Sequence, residues 1–496
     1  MMPFDDLQSG ALLLLTWSTL PIIIGGMTFG LVIGVIPGMT AALGMSLILP
    51  LTLALDPLSA LLLLTSVYTG SLTGGGILAI LINTPGTPGA VATTFDGYPM
   101  TRQGRHNEAL GLQIMSSVIG GLAGYFFLLF FIQPMTWLAL QFGSDEMLAL
   151  VIFVLVAIGF LEGKFIARSI FAGVLGLLLA TIGTSIVTDD VRGTFGIPAL
   201  EDGLPIILCV IGLFAVPELI AISTRKTIAE VETSHSIRSL LHGAASALAS
   251  IRIWLPGSMI GIAIGILPAA GATLASLTSY RWGRSLSPSG NRFGQGEPHG
   301  IVAAETANNA SEGGAMSILL SLGIPGSAST AVILGGFLLH GLVPGGTLFR
   351  DNGPIVYGLI LGNMIEMVLL GFVAIAVAYV AGRITTIPTR MLVPLLFVVL
   401  FSSAYSYRNE FIDVYILLFF GLVGWIFKRY HFTLLALMIG LFLGQELDEN
   451  FERVLILYGD DPLRVLESPL TVALSVLTIA ISIAACLRSF RSQPHG

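Results

Sequence analysis

Charge is what this sequence most lacks. Only 10% of its 496 residues are Asp, Glu, Lys or Arg, against roughly a quarter in a soluble domain, whose surface must face water. With 54% hydrophobic residues and a mean hydropathy of +0.91, the chain must turn most of its surface to lipid. Cysteine is nearly absent: Cys209 and Cys486 lie far apart in apolar runs, which excludes a disulfide framework and a cysteine-based metal site. The sequence contains no His-Glu-x-x-His, no Gly-x-x-x-x-Gly-Lys-Ser/Thr and no Cys-x-x-Cys. It therefore carries no ATPase motif of its own, and no enzyme is expected. Ser71 sits in a Gly-Ser context but has no well-placed His partner for an intramembrane serine protease. The net charge of −7 resides in short loops and implies no nucleic-acid partner. Met1-Met-Pro-Phe-Asp5-Asp6 has no basic n-region, so the first apolar run is expected to be retained as a span.

Long apolar runs fill the rest. Candidate spans are 10–36, 41–64, 108–133, 146–161, 166–187 and 204–222, then 246–276, 354–381, 388–406, 411–427, 431–445 and 468–487. At about 20 residues per crossing, this predicts an all-α polytopic membrane protein of roughly 12 spanning helices. Two stretches, 66–100 and 301–345, are apolar yet rich in Gly, Pro, Ser and Asn. They are expected to be re-entrant or broken-helix hairpins, because freed backbone groups at membrane depth must be buried in protein or face a watery cavity. The expected organisation is a first repeat half at 10–222 and a cytoplasmic linker at 223–245. A second repeat half at 246–406 and C-terminal helices with a tail at 407–496 complete it.

Loop charges set a direction by the positive-inside rule. Arg102, Arg105 and His106 are expected inside, as are Lys164 with Arg168, and Arg225, Lys226 and Arg238. Arg383 with Arg390, Lys428 with Arg429, and Arg488 with Arg491 follow on the same side. The acidic loops Asp189, Asp190, Glu201 and Asp202, and Glu446 to Glu467 including Asp460, are expected outside. The first half then starts outside near Asp5 and ends inside near Arg105. The second starts inside near Arg238 and ends outside near Arg350 and Asp351. The loop carrying Arg281, Arg284 and Arg292 is not placed by this rule.

A repeated signature accompanies that inversion. Gly30-Leu-Val-Ile-Gly34-Val-Ile-Pro37 recurs as Gly261-Ile-Ala-Ile-Gly265-Ile-Leu-Pro268, an offset of 231 positions (30 to 261). Ser71-Leu-Thr-Gly74 with Pro85-Gly86-Thr87 recurs as Ser311-Glu-Gly-Gly314 with Pro325-Gly326-Ser327, an offset of 240 positions (71 to 311). Paired Gly/Pro interruptions in two halves point to a transporter's binding site. The glycines of Gly74-Gly75-Gly76 alone are accounted for by close helix packing. Asn83, Thr84, Thr87, Ser71 and Thr73 around them favour a site. In the second block, Asn308 and Asn309 supply amide donors and acceptors suited to a carboxylate, although helix capping accounts for one of them. Their counterparts are Tyr68 and Thr69, so the halves are not chemically equivalent.

We expect the two blocks to meet and to bind a carboxylate through Ser71, Thr73, Asn83, Thr84, Thr87, Asn308, Asn309, Ser311 and Ser327. A cation is expected at Glu305 and at backbone groups of Gly74, Gly75, Pro85, Gly86, Gly323 and Pro325. Glu312 is a further cation candidate. Glu366 lies alone within 354–381 and is a functional candidate by default, with a packed, protonated carboxyl as the even alternative. Asp96 and Arg102 read as structural or topological, and Arg252 as a snorkelling helix-start residue.

These blocks resemble the large membrane subunit of the tripartite tricarboxylate transporters, the TctA family. The matching residues are Tyr68-Thr-Gly-Ser71 with Gly74-Gly75, Ala79-Ile-Leu81 with Asn83-Thr-Pro-Gly86, and Ala92-Thr with Asp96-Gly-Tyr-Pro-Met100. In the second half they are Gly265, Pro268, Phe293-Gly with Gly296, Glu305, Asn308-Asn-Ala310, Gly313-Gly314 and Gly323-Ile-Pro-Gly326. One departure is Ala304, where the family usually has Pro before the Glu. The resemblance implies a multi-pass protein of the bacterial inner membrane, a symporter of di- or tricarboxylates driven by sodium or protons. It also implies a small membrane subunit (TctB-like) and a periplasmic solute-binding protein (TctC-like), and no cofactor beyond a coupling Na+ or H+. A passive channel or stand-alone carboxylate exporter with the same broken helices is the rival reading.

Overall fold

The computed structural model describes residues 4–36, 38–161, 166–185, 188, 190–223, 236–268, 270–384, 389–459 and 461–491. Pro37, Lys164, Asp189, Arg225, Lys226 and Asp460 lie outside the described residues. The chain is helical almost throughout. It begins with α1 (Phe4–Leu13), α2 (Thr19–Val35), α3 (Ala41–Ile48), α4 (Pro57–Ile82), α5 (Val91–Arg102) and α6 (His106–Ala139). Next come α7 (Ser144–Leu161), α8 (Ile166–Ala180) and α9 (Ile206–Ser223). Then follow α10 (Ile237–Ala249), α11 (Ile251–Gly265), α12 (Gly271–Leu286), α13 (Pro298–Leu322), α14 (Ala328–Leu339) and α15 (Gly346–Ile384). Last come α16 (Thr389–Arg408), α17 (Phe411–Arg429), α18 (Leu434–Tyr458) and α19 (Pro469–Arg491). Among the described residues the one sheet is a two-stranded antiparallel ribbon pairing Gly183 with Arg192 and Thr184 with Val191.

Among the described residues, four helices, Pro57–Ile82, His106–Ala139, Gly346–Tyr379 and Phe411–Arg429, are long and apolar enough to cross a bilayer. The pair α10 and α11, bent by 73°, makes a fifth if taken as one span. Several expected spans are split. The run 10–36 breaks between α1 and α2. The run 41–64 breaks where Pro50 opens a 3-10 turn and Asp56 caps α4, accepting the Ser59 N–H at 3.1 Å. The run 246–276 divides among α10, α11 and α12. In the 41–64 run a proline and a cap override hydropathy, because proline removes a backbone donor and the Asp56 carboxylate restarts the helix.

The chain forms two compact units, residues 1–136 with 218–409, and 137–217 with 410–496. In the first, the sequence repeat is also a packing repeat. Gly30 and Gly261 lie against the backbone carbonyls of Val67 and Ala307, and Gly34 and Gly265 against those of Ser71 and Ser311. Gly74 and Gly314 likewise abut Leu31 and Ile262. A Cβ at any of these positions would overlap a backbone oxygen, so only glycine lets α2 close on α4, and α11 on α13. Each central helix then ends on a left-handed residue, Asn83 (φ 56°) and Gly323 (φ 70°), also 240 positions apart. The expected breaks are therefore real but fall later than expected. Residues 66–82 and 301–322 are continuous helix, and the interruptions are 83–87 and 323–327.

The long last helix of each copy crosses to the other copy. α6 packs on α13, with Gly120 against the Thr306 carbonyl and Gly124 against Ala310. α15 packs on α1, where Gly10 meets the backbone of Pro354 and Gly358, and it bonds to α4 through Glu366. α10 closes on α6 through Gly111 and Gly243. In the second unit, Gly173, Gly176 and Gly440 bring α8 against α18, and Ser169 Oγ meets Thr433 Oγ1 at 2.7 Å. Arg192 pairs with Asp448, and Ser468 donates to Glu146.

Candidate functional site

α4 and α13 form the buried centre of the first unit, and nearly every residue of each is inaccessible. A buried helix carries few polar side chains unless they are paired, since an unmet hydrogen-bonding group costs about 1–3 kcal/mol. Here many are unmet. Ser71 Oγ, Thr73 Oγ1, Thr87 Oγ1, Asn309 Oδ1 and both amide atoms of Asn308 are buried without a hydrogen-bond partner. Asn308 also lies against the first break, where a Cβ on Gly89 would overlap its Oδ1. Tyr68, its counterpart on α4, lies beside the Ser327 side chain at the second break. Each central helix thus reaches the interruption of the other copy.

The remaining expected residues are arranged around this centre. Asn308 and Asn309 lie in the middle of α13, so neither is a cap; Asn309 Nδ2 donates to the Glu305 carbonyl at 3.1 Å. Ser311 Oγ donates to the Asn308 carbonyl at 2.7 Å. Ser327 caps α14 in a reciprocal capping box with Thr330. Asn83 is exposed, and Thr84 Oγ1 turns back to the Ile82 carbonyl at 3.4 Å. Gly74 and Gly75 lie within helix α4, where the Gly75 carbonyl accepts the Gly86 N–H at 3.3 Å. Pro85 and Gly86 form the first break, and Gly323 and Pro325 the second.

Besides Asp96, three carboxylates are fully buried in this unit: Glu305 and Glu312 on α13 and Glu366 on α15. Glu305 accepts from Thr93 of α5, from Ser117 Oγ of α6 at 3.2 Å and, at longer range, from Gln113 Nε2 at 3.5 Å. Gly76 leaves the space into which Gln113 and Glu305 approach α4. Glu312 Oε1 accepts from Thr69 Oγ1 and Tyr125 Oη, both at 2.7 Å. Glu366 Oε1 accepts from Ser66 Oγ at 2.7 Å and Thr65 Oγ1 at 3.0 Å. None of the three has a Lys, Arg or His partner among the described residues. A buried carboxylate without a counter-charge is costly, and each of these is held by hydroxyl and amide donors alone. Thr93, Gln113, Ser117, Tyr125, Thr65, Ser66, Thr69 and Asn363 were missed by sequence reasoning. The signal available was the polar pair Gln113 and Ser117 at i,i+4 within an apolar span.

Asp96 proves structural, as expected. Buried at the end of α5, it accepts the N–H groups of Gly294, Gly296 and Glu297 at 2.8–2.9 Å and the Tyr280 hydroxyl at 2.8 Å. The connection after α12, with its unplaced arginines, is thereby tied beside Arg102 and Arg105. Gln103 adds a bond to the Gln295 carbonyl at 2.8 Å. An open cleft of about 780 Å³ sits here, lined by Asn83, Thr94, Phe95, Tyr98, Pro99, Arg102, Gln103 and Gln295. Asp96→Ala would strand three backbone donors, so it should lower stability by about 3 kcal/mol or more. Thermal unfolding of the purified variant should show the loss, and Asp96→Asn a smaller one.

Apolar helices around a polar, charge-bearing interior are the make-up of a multi-pass membrane protein that handles a polar solute. The family described as the tripartite tricarboxylate transporter TctA family matches residues 20–439. A relative from Agrobacterium vitis, titled an uncharacterized 52.8 kDa protein in the TAR-I ttuC' 3' region, is 31% identical over 472 residues. That match covers 94% of this chain and 93% of the relative. A second, titled an uncharacterized protein in the TAR-II ttuC' 3' region of the same organism, is 32% identical over 233 residues. It covers 47% of this chain and 96% of the relative. No solved structure matches the chain. The chain belongs to the TctA family, and is thus a component of a tripartite tricarboxylate transporter.

Proposed function

We propose that this chain is the transporting subunit of a cation-coupled symporter that imports di- or tricarboxylates across the bacterial inner membrane. It receives substrate from a periplasmic binding protein and works with a small membrane subunit. The observation that carries this reading is the set of unmet buried groups on the two central helices and at the first break: Asn308, Asn309, Ser71, Thr73 and Thr87. Amide and hydroxyl donors bind carboxylate oxygens without a fixed cation, so binding stays reversible. Glu305 beside them offers the negative charge that a coupling Na+ or H+ requires.

Inverted repeats fit this reading, and three contacts support them. Asp6 abuts Gly353 at the start of α15, both in segments whose charges predict the outside. Glu108 abuts Gly243 of α10, in segments predicted inside. The connection after α12, which carries Arg292, is held by Asp96 near Arg102 and Arg105, and this supports an inside position for it.

Uptake of labelled citrate into proteoliposomes tests the proposal, with and without a sodium or proton gradient and with and without the binding protein. Accumulation above the external concentration should need both the gradient and the binding protein. Gradient-independent equilibration would instead identify a channel.

A further inference from the structure

Glu312 follows Asn308 by one turn of α13, but it and Glu366 are held by a different set of donors, along one face of α4. Their donors Thr65 and Thr69 are four residues apart, which at 1.5 Å rise per residue is about 6 Å. Four helices contribute: Thr65, Ser66 and Thr69 from α4, Tyr125 from α6, Glu312 from α13, and Asn363 and Glu366 from α15. Each carboxylate has one oxygen satisfied by two donors and one, Oε2, buried with no partner. The other titratable groups near the pair are the hydroxyls of Tyr68 and Tyr125, and no Lys, Arg or His pairs with it among the described residues.

Asn363 is a separate indication. It is fully buried, and its Nδ2 has no partner, while Thr65 Oγ1 lies 2.8 Å from its Oδ1 and 3.0 Å from Glu366 Oε1. Thr65 has one hydroxyl hydrogen and cannot serve both acceptors. Turning the amide over resolves the count. Nδ2 then donates to Thr65, the Thr65 hydrogen goes to Glu366, and the Asn363 carbonyl takes the unpartnered position. Three oxygens are then left open: Glu312 Oε2, Glu366 Oε2 and Asn363 Oδ1.

We propose that Glu312, Glu366 and Asn363 form a second cation site, separate from the Glu305 region, that holds one monovalent positive charge, either Na+ or a proton. Two carboxylates this close in a dry interior cannot both stay ionised without a counter-charge. Occupancy would cancel that repulsion and draw α15 onto α4, the crossing between the two copies. This site rests on the symport reading and specifies where part of the coupling occurs.

Cation-to-substrate ratios, measured by reversal potential in proteoliposomes loaded with labelled citrate, test it. A sodium gradient at fixed pH and a proton gradient without sodium form separate arms, and loss in one arm identifies the ion. Glu366→Gln should lower the ratio by one, while citrate exchange at equal cation concentrations stays within twofold of wild type. Glu312→Gln should do the same, so the misfolding of one variant leaves the other to decide. An unchanged ratio in a folded variant, or loss of exchange together with coupled uptake, would overturn the second site. A wild-type protein indifferent to both gradients would instead overturn the symport reading itself.

Discussion

Replacing Asn308 by Ala is expected to abolish citrate accumulation while leaving the protein as stable as wild type or slightly more so. Both amide atoms of Asn308 are buried without a hydrogen bond of good geometry, and only the nearby Glu305 carboxyl interacts with its amide, so the folded protein loses little when they go. It loses only the cost of holding them dry. The substrate complex loses two bonds to charged oxygens, each worth about 1.5–3 kcal/mol, a fall of roughly a hundredfold or more in affinity. Opposite signs in uptake and stability mark a residue kept for binding. Thermal unfolding and uptake on the same preparation check this. A destabilised variant with normal uptake would return Asn308 to a packing role. The double replacement with Asn309→Ala should be equally inactive and still insert into the membrane.

The second large effect concerns backbone contact. Gly34→Ala or Gly265→Ala places a methyl group inside the carbonyl of Ser71 or Ser311. Neither helix can give way, because α4 and α13 are packed on every side. Overpacking of this kind costs about 1–3 kcal/mol or more, and we expect the upper end, with a sharp drop in the yield of folded protein on gel filtration. Gly25→Ala, on the same helix α2, has nothing within 4 Å of its new Cβ. It should be neutral, or stabilising by up to about 1 kcal/mol through helix propensity. A similar response of Gly25 and Gly34 would remove the packing explanation.

The seam was legible in the sequence because it depends on spacing alone. Gly30 and Gly34 recur 231 positions on at Gly261 and Gly265, and the carbonyls they touch, those of Val67 and Ser71, recur 240 positions on at Ala307 and Ser311. The Pro-bounded turns after Asn83 and Gly323 were legible too, as was the close packing of the glycines at 74–76, of which Gly74 abuts the Leu31 carbonyl of α2. The exact onset of the breaks was not legible, because the Gly-rich stretches 66–82 and 301–322 stay helical up to those turns. Least visible were the partners of the buried carboxylates. Gln113, Ser117 and Tyr125 belong to a helix of the first copy but serve Glu305 and Glu312 of the second, 187 to 192 positions away. No local pattern encodes such a pairing. Glu366 was visible as a lone charge in a span, whereas its donors Thr65 and Ser66, 300 positions earlier, were not.

The crossing of α15 onto α4 also sets a timetable for biogenesis. α4 leaves the ribosome about 300 residues ahead of Glu366 and Asn363, its hydrogen-bonding partners. At about 5–20 residues per second, that is a delay of roughly 15 to 60 seconds. Throughout it, the polar face of α4 (Thr65, Ser66, Thr69, Ser71 and Thr73) has no α15 or α13 to meet. The nascent first copy must therefore be held by the insertion machinery, or by water at its edge, until the second copy arrives to close it.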